Sequence, residues 1–421
     1  MRVEVLNTGS ELLLGGAVNT HLAFLGQQLF TIGLRIERQT CVPDGPMIGS
    51  VMRECFPRCD VLIVTGGLGP TSDDITRQLV ADFFGLALER DETIFALISD
   101  RVAKFGRKMN DNLARQADVP RGMIVLPNLH GTAPGLYLPA RTHDGQSTPH
   151  IFLLPGPPRE LRPMVSGDLL PRLRELRAAL GGAPEAMKVM RIVGLGESQV
   201  EEMVGEKLTA RPGLELGYCA RSGEVDVRLI GPAATVERAT EIVRAEPGLR
   251  EHLISEDGAS IEEVIVRLLT ARNATLATAE SCTGGLIAHR ITNVPGASKV
   301  FIAGPVTYTN AAKTRALGVD SSLIDTHSAV SEAVARAMAA GVQKTFGSDF
   351  AIATTGVAGP DGATADAPVG TVFIALAGPD GAIEVKRRQF FASDRETFKH
   401  LAAQAAFYLL RRKLRASGSL E

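Results

Sequence analysis

The chain has 421 residues, 45% of them hydrophobic, with 45 Lys and Arg against 47 Asp and Glu, a net charge of −2 and a pI near 6.5. That length exceeds one typical core and implies two or three domains. The near-neutral balance gives no electrostatic case for nucleic acid or an anionic membrane. No apolar run reaches membrane-spanning length, and the opening MRVEVLNTGSE lacks signal-peptide character. Five cysteines with no C-x-x-C pair, Cys55 and Cys59 being four apart across Pro57, argue against a disulfide framework or a structural zinc site. A reducing cytoplasm is the expected setting.

Over about residues 1–180 strand and helix alternate: VEVLN, then NTHLAFLGQQLFTIG, LRIERQT, a helix near 46–56, and DVLIVTGG. This order predicts an α/β domain, a parallel doubly wound sheet with helices on both faces. GGLGPTSDD at 66–74 follows the last of these strands. Its glycines would let backbone N–H groups approach a phosphate, and Asp73 and Asp74 would suit a divalent metal. It is neither a Walker loop, which needs a lysine, nor a dinucleotide fingerprint, which needs a third glycine. The plainer alternative is that Ser72, Asp73 and Asp74 cap a helix.

A break at GGAP, 181–184, follows a long Arg/Leu helix. Residues 185–254 then read strand, helix, two strands, helix and short strand, a small α+β layer. Nine Lys/Arg face eleven Asp/Glu between 186 and 254, which disfavours nucleic acid here too. The G-x-G of VGLGESQ reads as a turn opening a helix.

The remaining residues, 255–415, hold the sharpest chemistry. ATLATA at 274–279 reads as a buried strand and GLIAHRITN as a helix, with Ser281 on the turn between them. There the free N–H groups of the new helix would stabilise an oxyanion beside the hydroxyl. A serine needs a base. His289, two turns along the helix, is a poor candidate; Lys313 and Tyr308 are better. FIAGPVTY (301–308) would be a strand bearing Tyr308 at its end, and Asn310 would cap a helix holding Lys313 in its first turn. A dry lysine loses its proton more easily than an exposed one. By spacing alone the bland assignment stands beside this one, with Ser281 as an N-cap, Tyr308 in the core and Lys313 solvated. Cys282 is a rival nucleophile or a small buried side chain. The terminal SGSLE reads as a frayed tail.

The segments AESCTGG, VTYTNAAK, TTGVAGPDG and PVGTVFIA, in that order, resemble the carboxyl-terminal domain of the CinA (competence/damage-inducible protein A) family, over about residues 255–415. That domain is similar to nicotinamide-nucleotide amidases, which hydrolyse nicotinamide mononucleotide to nicotinate mononucleotide and ammonia without a cofactor. The resemblance implies Ser281 as nucleophile, with Lys313 and Tyr308 activating it and relaying protons. It adds Thr355 and Arg395 to the site, with Thr283, Gly284, Gly285, Asn310, Gly356 and Gly359 contacting substrate. A threonine at 355 would orient the amide or a water, and the Arg395 fork suits a phosphate.

NTGSELLLG, GGLGPTSDD, HGTAPGL and LPGPPREL resemble the amino-terminal CinA domain, similar to the molybdopterin-binding MoaB/MogA fold. The resemblance implies a metal-dependent ADP-ribose pyrophosphatase site, with a divalent ion on Asp73 and Asp74. Glu11, Gly67, Gly69 and Thr71 would lie at that site, with Gly131, Thr132 and Pro134 facing them. One departure is Gly16, where the family often has an acidic residue before V-N-T. A KH-like middle domain and a homodimer are also implied. The alternatives from other classes are a non-enzymatic nucleotide- or pterin-binding scaffold linked to competence or DNA repair, and a molybdenum-cofactor enzyme by fold analogy.

Overall fold

The apolar runs VEVLNT and VLIVT form neighbouring parallel strands, Val3–Thr8 and Val61–Thr65, buried along their whole length in a computed structural model that describes residues 1–181, 185–391 and 394–416. The chain divides into two compact units, Met1–Pro184 and Glu185–Glu421. In the first, a six-stranded sheet runs in the order Ile36–Val42, Val3–Thr8, Val61–Thr65, His150–Leu154, Gly135–Leu138, Ile124–Leu126. Because side chains alternate along a strand, Val3 and Val5 pack with Leu25 and Leu29 of helix His21–Phe30. Leu6, Leu62 and Val64 pack on the other face with Ile48 and Met52 of helix Met47–Cys55.

The sheet departs from the all-parallel expectation at one edge. Gly135–Leu138 is antiparallel to both of its neighbours. Residues 127–134 are too few for the dozen-residue crossover that a parallel pair requires, so the chain turns straight back.

In the second unit the middle segment follows the expected order of elements. Its four strands lie in the order Glu215–Arg221, Glu224–Gly231, Ala186–Val193, Leu253–Ser255, all antiparallel. Helices Glu197–Thr209 and Ala233–Ala245 bury Val200, Val204, Val236 and Val243 against Met190, Ile192 and Val227. Apart from Gly181, the GGAP break lies outside the described residues, as does the SGSLE tail.

The last sheet runs Phe301–Ala303, Leu276–Glu280, Phe350–Gly356, Thr371–Ala377, Ile383–Gln389, the first three parallel and the rest antiparallel. Its two faces differ in size. Leu276, Ile352, Ile374 and Leu376 meet helices Ile261–Ala271 and Arg395–Ala416. Ala277, Ala279, Ala351, Ala353, Ala375 and Ala377 form the other face and meet Ala335, Met338 and Val342 of helix Glu332–Phe346. A floor of methyl groups lets that helix lie close to the sheet.

The strand expected over 301–308 stops at Ala303. Pro305 has no N–H for a ladder, and only one further bridge, Glu280 to Val306, continues the pairing. Among the described residues no helix is long and apolar enough to cross a membrane.

The close packing extends to Gly341, where a Cβ would lie 2.1 Å from the carbonyl oxygen of Leu317. Helix propensity alone favours alanine there by about 1 kcal/mol. We expect Gly341→Ala instead to lower stability by about 2 kcal/mol, the cost of overpacking, as chemical denaturation would measure; a stabilised variant would show that the helix has room to move.

Candidate active site

Leu276–Glu280 and Phe350–Gly356 are adjacent parallel strands whose connections leave in opposite directions, one to Phe301–Ala303 and the other to Thr371–Ala377. Such a switch point opens a crevice at the carboxyl ends of the strands. A cavity of about 250 Å³ lies there, lined by Ser281, Cys282, Tyr308, Asn310, Lys313, Thr355, Gly356, Asp361 and Arg395 among others.

Lys313 sits one turn into helix Asn310–Leu317, 1% exposed. Its Nζ donates to Ser281 Oγ at 3.1 Å and to the Thr307 carbonyl at 3.0 Å. No carboxylate among the described residues is bonded to it. Burial pushes the ammonium below its ordinary pKa, a shift in the direction that favours the neutral amine beside the hydroxyl. Burial acts oppositely on Cys282, whose thiol is pushed up to about 12; it is a packed neighbour of the serine and a poor thiolate.

Glu280 changes the expected electrostatics of the turn. Its side chain is fully buried and accepts from the amides of Gly285, Ile287 and Ala288, at 3.0, 3.1 and 2.8 Å. These are the N-terminal donors of helix Leu286–Thr292, so they are not free for an oxyanion as the sequence had suggested. The amide of Cys282 has no acceptor on another described residue and lies in a residue that lines the cavity.

The remaining candidates fall into three groups. Tyr308 is 56% exposed at the rim, and its Oη accepts from Arg395 Nη2 at 2.9 Å, so Lys313 and not Tyr308 is the group bonded to Ser281. Arg395 Nη1 donates to the Gly359 carbonyl; two of its five N–H groups are therefore engaged within the protein. Thr355 Oγ1 donates to Ala329 O at 2.7 Å, tying the 329–330 loop to the cavity wall.

Of the other expected substrate contacts, Asn310 and Gly356 line the cavity and Thr283, Gly284, Gly285 and Gly359 do not. Thr283 is buried with its hydroxyl 2.8 Å from that of Thr354, while Gly284 and Gly285 shape the turn at φ +63° and +93°. Gly359 reaches the site only through its carbonyl. Asn310 lines the cavity but does not cap its helix; Thr309 does, accepting from Ala312 N at 3.2 Å. His289 is exposed, as its position on the helix suggested.

The first unit carries its own cavity, about 340 Å³, at the corresponding switch point between Val3–Thr8 and Val61–Thr65. Glu11, Gly67, Gly69, Thr71, Asp73, Asp74 and Thr132 line it, as do Asp44 and Glu160. Gly131 and Pro134 do not. A Cβ on Gly131 would strike Glu160, so this glycine makes room for that side chain. Gly69 does the same for Asp74, whose Oδ2 accepts from both the amide and the hydroxyl of Thr71. The capping alternative is not what forms: helix Thr76–Phe84 begins after Ile75 with no side-chain cap. Gly16 donates its amide to the Glu11 carbonyl at 2.9 Å.

Three family models match the chain: a probable molybdopterin binding domain over residues 4–175, the damage-inducible protein CinA KH domain over 187–254, and the CinA C-terminal domain over 258–414. A CinA-like protein of Akkermansia muciniphila is 45% identical over 96% of both chains. The chain belongs to the CinA family. A putative competence-damage inducible protein of Moorella thermoacetica is 41% identical over 99% of both chains. A solved structure of the competence/damage inducible protein CihA from Agrobacterium tumefaciens is 36% identical, covering 36% of this chain and 94% of that one, with a TM-score of 0.35.

Within this family frame the residues that sequence reasoning missed are Glu280, Thr307 and Asp361 at one site and Asp44 and Glu160 at the other. Glu280, Thr307, Asp361 and Glu160 all stood inside or beside recognised motifs. For Glu280, Thr307 and Glu160 the contact is a carboxylate or carbonyl reaching across a turn, which spacing does not reveal; Asp361 lines the cavity.

If Glu280 fixes the turn, Glu280→Gln places an amide NH₂ against backbone donors and should cost about 2 kcal/mol or more. Thermal or urea unfolding should show that loss, and any catalytic activity of the site should fall with it; a variant of unchanged stability would mean the helix start is held by other contacts.

Proposed function

We propose that the C-terminal domain is a nicotinamide-nucleotide amidase in which Ser281 and Lys313 form a serine–lysine pair. The observation that carries the proposal is the 3.1 Å contact between Lys313 Nζ and Ser281 Oγ, both buried at the cavity wall, with no carboxylate among the described residues bonded to the lysine. The neutral amine takes the serine proton as Oγ attacks the carboxamide carbon. The amide of Cys282, next to the nucleophile, supports the oxyanion. The resulting ammonium then gives its proton to the departing nitrogen, releasing ammonia and leaving a nicotinoyl ester on Ser281.

Water attacks that ester, Lys313 again accepts a proton, and collapse to the carboxylate returns the proton to Ser281. Thr307 holds the amine in place through its carbonyl. Tyr308 and Arg395 stand at the open rim, where the phosphate of a mononucleotide would lie, and three N–H groups of Arg395 without an acceptor among the described residues would meet it.

Ammonia release from nicotinamide mononucleotide by purified protein tests this reading. Ser281→Ala and Lys313→Met should each reduce turnover by about 10³-fold or more, while Cys282→Ala should keep most of it. Since the reactive form of Lys313 is the neutral one and its pKa is lowered, kcat/KM should rise with pH and level off below the ordinary lysine range near 10.4. Full activity in Ser281→Ala, or loss confined to Cys282→Ala, would remove the serine from the mechanism.

The first unit suits a second reaction on a phosphate-bearing substrate, with ADP-ribose as the proposed one. No cluster of three or more His, Cys, Asp or Glu is placed to hold a metal among the described residues. Magnesium, however, commonly uses one or two carboxylates and completes its shell with substrate phosphates and water. Asp73 and Asp74 fit that mode, and the ion would neutralise phosphate charge. Asp74→Ala should abolish magnesium-dependent release of AMP from ADP-ribose and leave the amidase intact; equal cleavage by wild type and variant would exclude this role for Asp74.

A further inference from the structure

A third cavity, about 810 Å³, lies in the second unit between the short strand Leu253–Ser255 and the carboxyl end of helix Arg395–Ala416. Six cationic side chains line it, Lys188, Arg244, Arg250, Arg267, Arg411 and Arg415, against two acids, Glu256 and Asp257. Both acids are already engaged. Arg244 donates twice to Glu256, at 2.9 and 2.6 Å, and Arg267 bonds Asp257 at 3.0 Å. Lys188 has its own partner outside the cavity, Glu237 at 2.9 Å. Arg250, Arg411 and Arg415 have no carboxylate partner among the described residues.

Arg411 is the most demanding of the three. It is 3% exposed; its terminal nitrogens donate to the Glu251 and Leu253 carbonyls, and its buried Nε has no acceptor among the described residues. Burial and the neighbouring Arg415 charge together pull its pKa down to about 10. The two arginines are four residues apart on one helix face, a repulsive spacing for like charges. The helix dipole accounts for cations at this end of the helix. It does not account for Arg250, which enters the same cavity from the turn Pro247–Leu249. An anion would serve all three.

Apart from Ser255, whose hydroxyl donates to the Ala259 carbonyl, the rest of the wall is apolar, supplied by Leu253, Ile254, Val264 and Leu268. The volume is within the range of small-molecule sites. We propose that this cavity binds a nucleoside diphosphate or triphosphate, with its phosphates on Arg250, Arg411 and Arg415 and its base against the apolar wall.

Titration calorimetry of the full chain with ADP, pyrophosphate and adenosine tests the proposal, together with photolabelling by 8-azido-ADP. ADP should bind with an affinity that falls as salt rises, adenosine should bind about 100-fold more weakly, and the label should map to a peptide within 253–268. The double variant Arg250→Ala with Arg415→Ala alters only exposed side chains and should fold normally while weakening ADP about 30-fold or more. Arg411→Lys provides a second variant that keeps the charge but not the fork. Absence of saturable ADP binding, equal binding by the double variant, or labelling confined to the first unit would overturn the proposal. Pyrophosphate binding as tightly as ADP would overturn the part of it that seats a base on the apolar wall.

Discussion

Glu280 is a carboxyl group with no access to solvent, surrounded by three backbone amides that have no other acceptor among the described residues, and the geometry of the C-terminal site depends on it. Helix Leu286–Thr292 begins two glycines after the turn and has no side-chain cap of the usual kind. An acidic side chain at the end of the preceding strand supplies the missing acceptors. Because that side chain belongs to the residue immediately before Ser281, the same contacts that start the helix also fix the position of Ser281. Ser281 in turn donates its amide to Thr354 O at 3.0 Å, which anchors the turn to the neighbouring strand. The turn is therefore held from both ends of one dipeptide.

This arrangement has a chemical consequence. A carboxylate bonded to Lys313 would stabilise the ammonium and raise its pKa, opposing the role of base proposed for it. Glu280 is only one residue from Ser281, yet its oxygens are directed into the helix terminus, and Lys313 bonds a hydroxyl and a carbonyl instead. Neutral acceptors hold the amine without fixing its charge. The carboxyl of Glu280 and the amine of Lys313 are thus kept apart although Glu280 adjoins Ser281 in the chain.

The α/β alternation of the first unit, the six elements of the middle domain and the strand before Ser281 were all legible, because each rests on local periodicity and on turn residues. The pairing of Ser281 with Lys313 was legible as chemistry, and the structure gives the hydroxyl to the lysine while leaving the tyrosine at the rim. What spacing could not give were the long reaches: Glu280 folding forward onto amides up to eight residues away, Glu160 filling the space left by Gly131, and the 329–330 loop tied down by Thr355. The antiparallel edge of the first sheet also escaped, since alternating apolar runs look alike in either direction. Pro305 was visible in the sequence, and a proline in a strand should have shortened the expected element at once.

The lowered pKa of Lys313 follows from its burial, which core packing at a distance from the cavity supports. Six alanines on one sheet face allow helix Glu332–Phe346 to approach, and Gly341 lets that helix meet the Leu317 carbonyl without a side chain between them. Leu317 ends the helix that carries Lys313, and Thr309 fixes its beginning, so the short helix is clamped at both termini. Its lysine is thereby held against Ser281 and Thr307, out of water. Larger residues on the alanine face would push the second layer outward and admit solvent to the amine, weakening the desolvation that lowers its pKa. The volume of the side chains on the sheet thereby bears on how far burial lowers the pKa of this lysine.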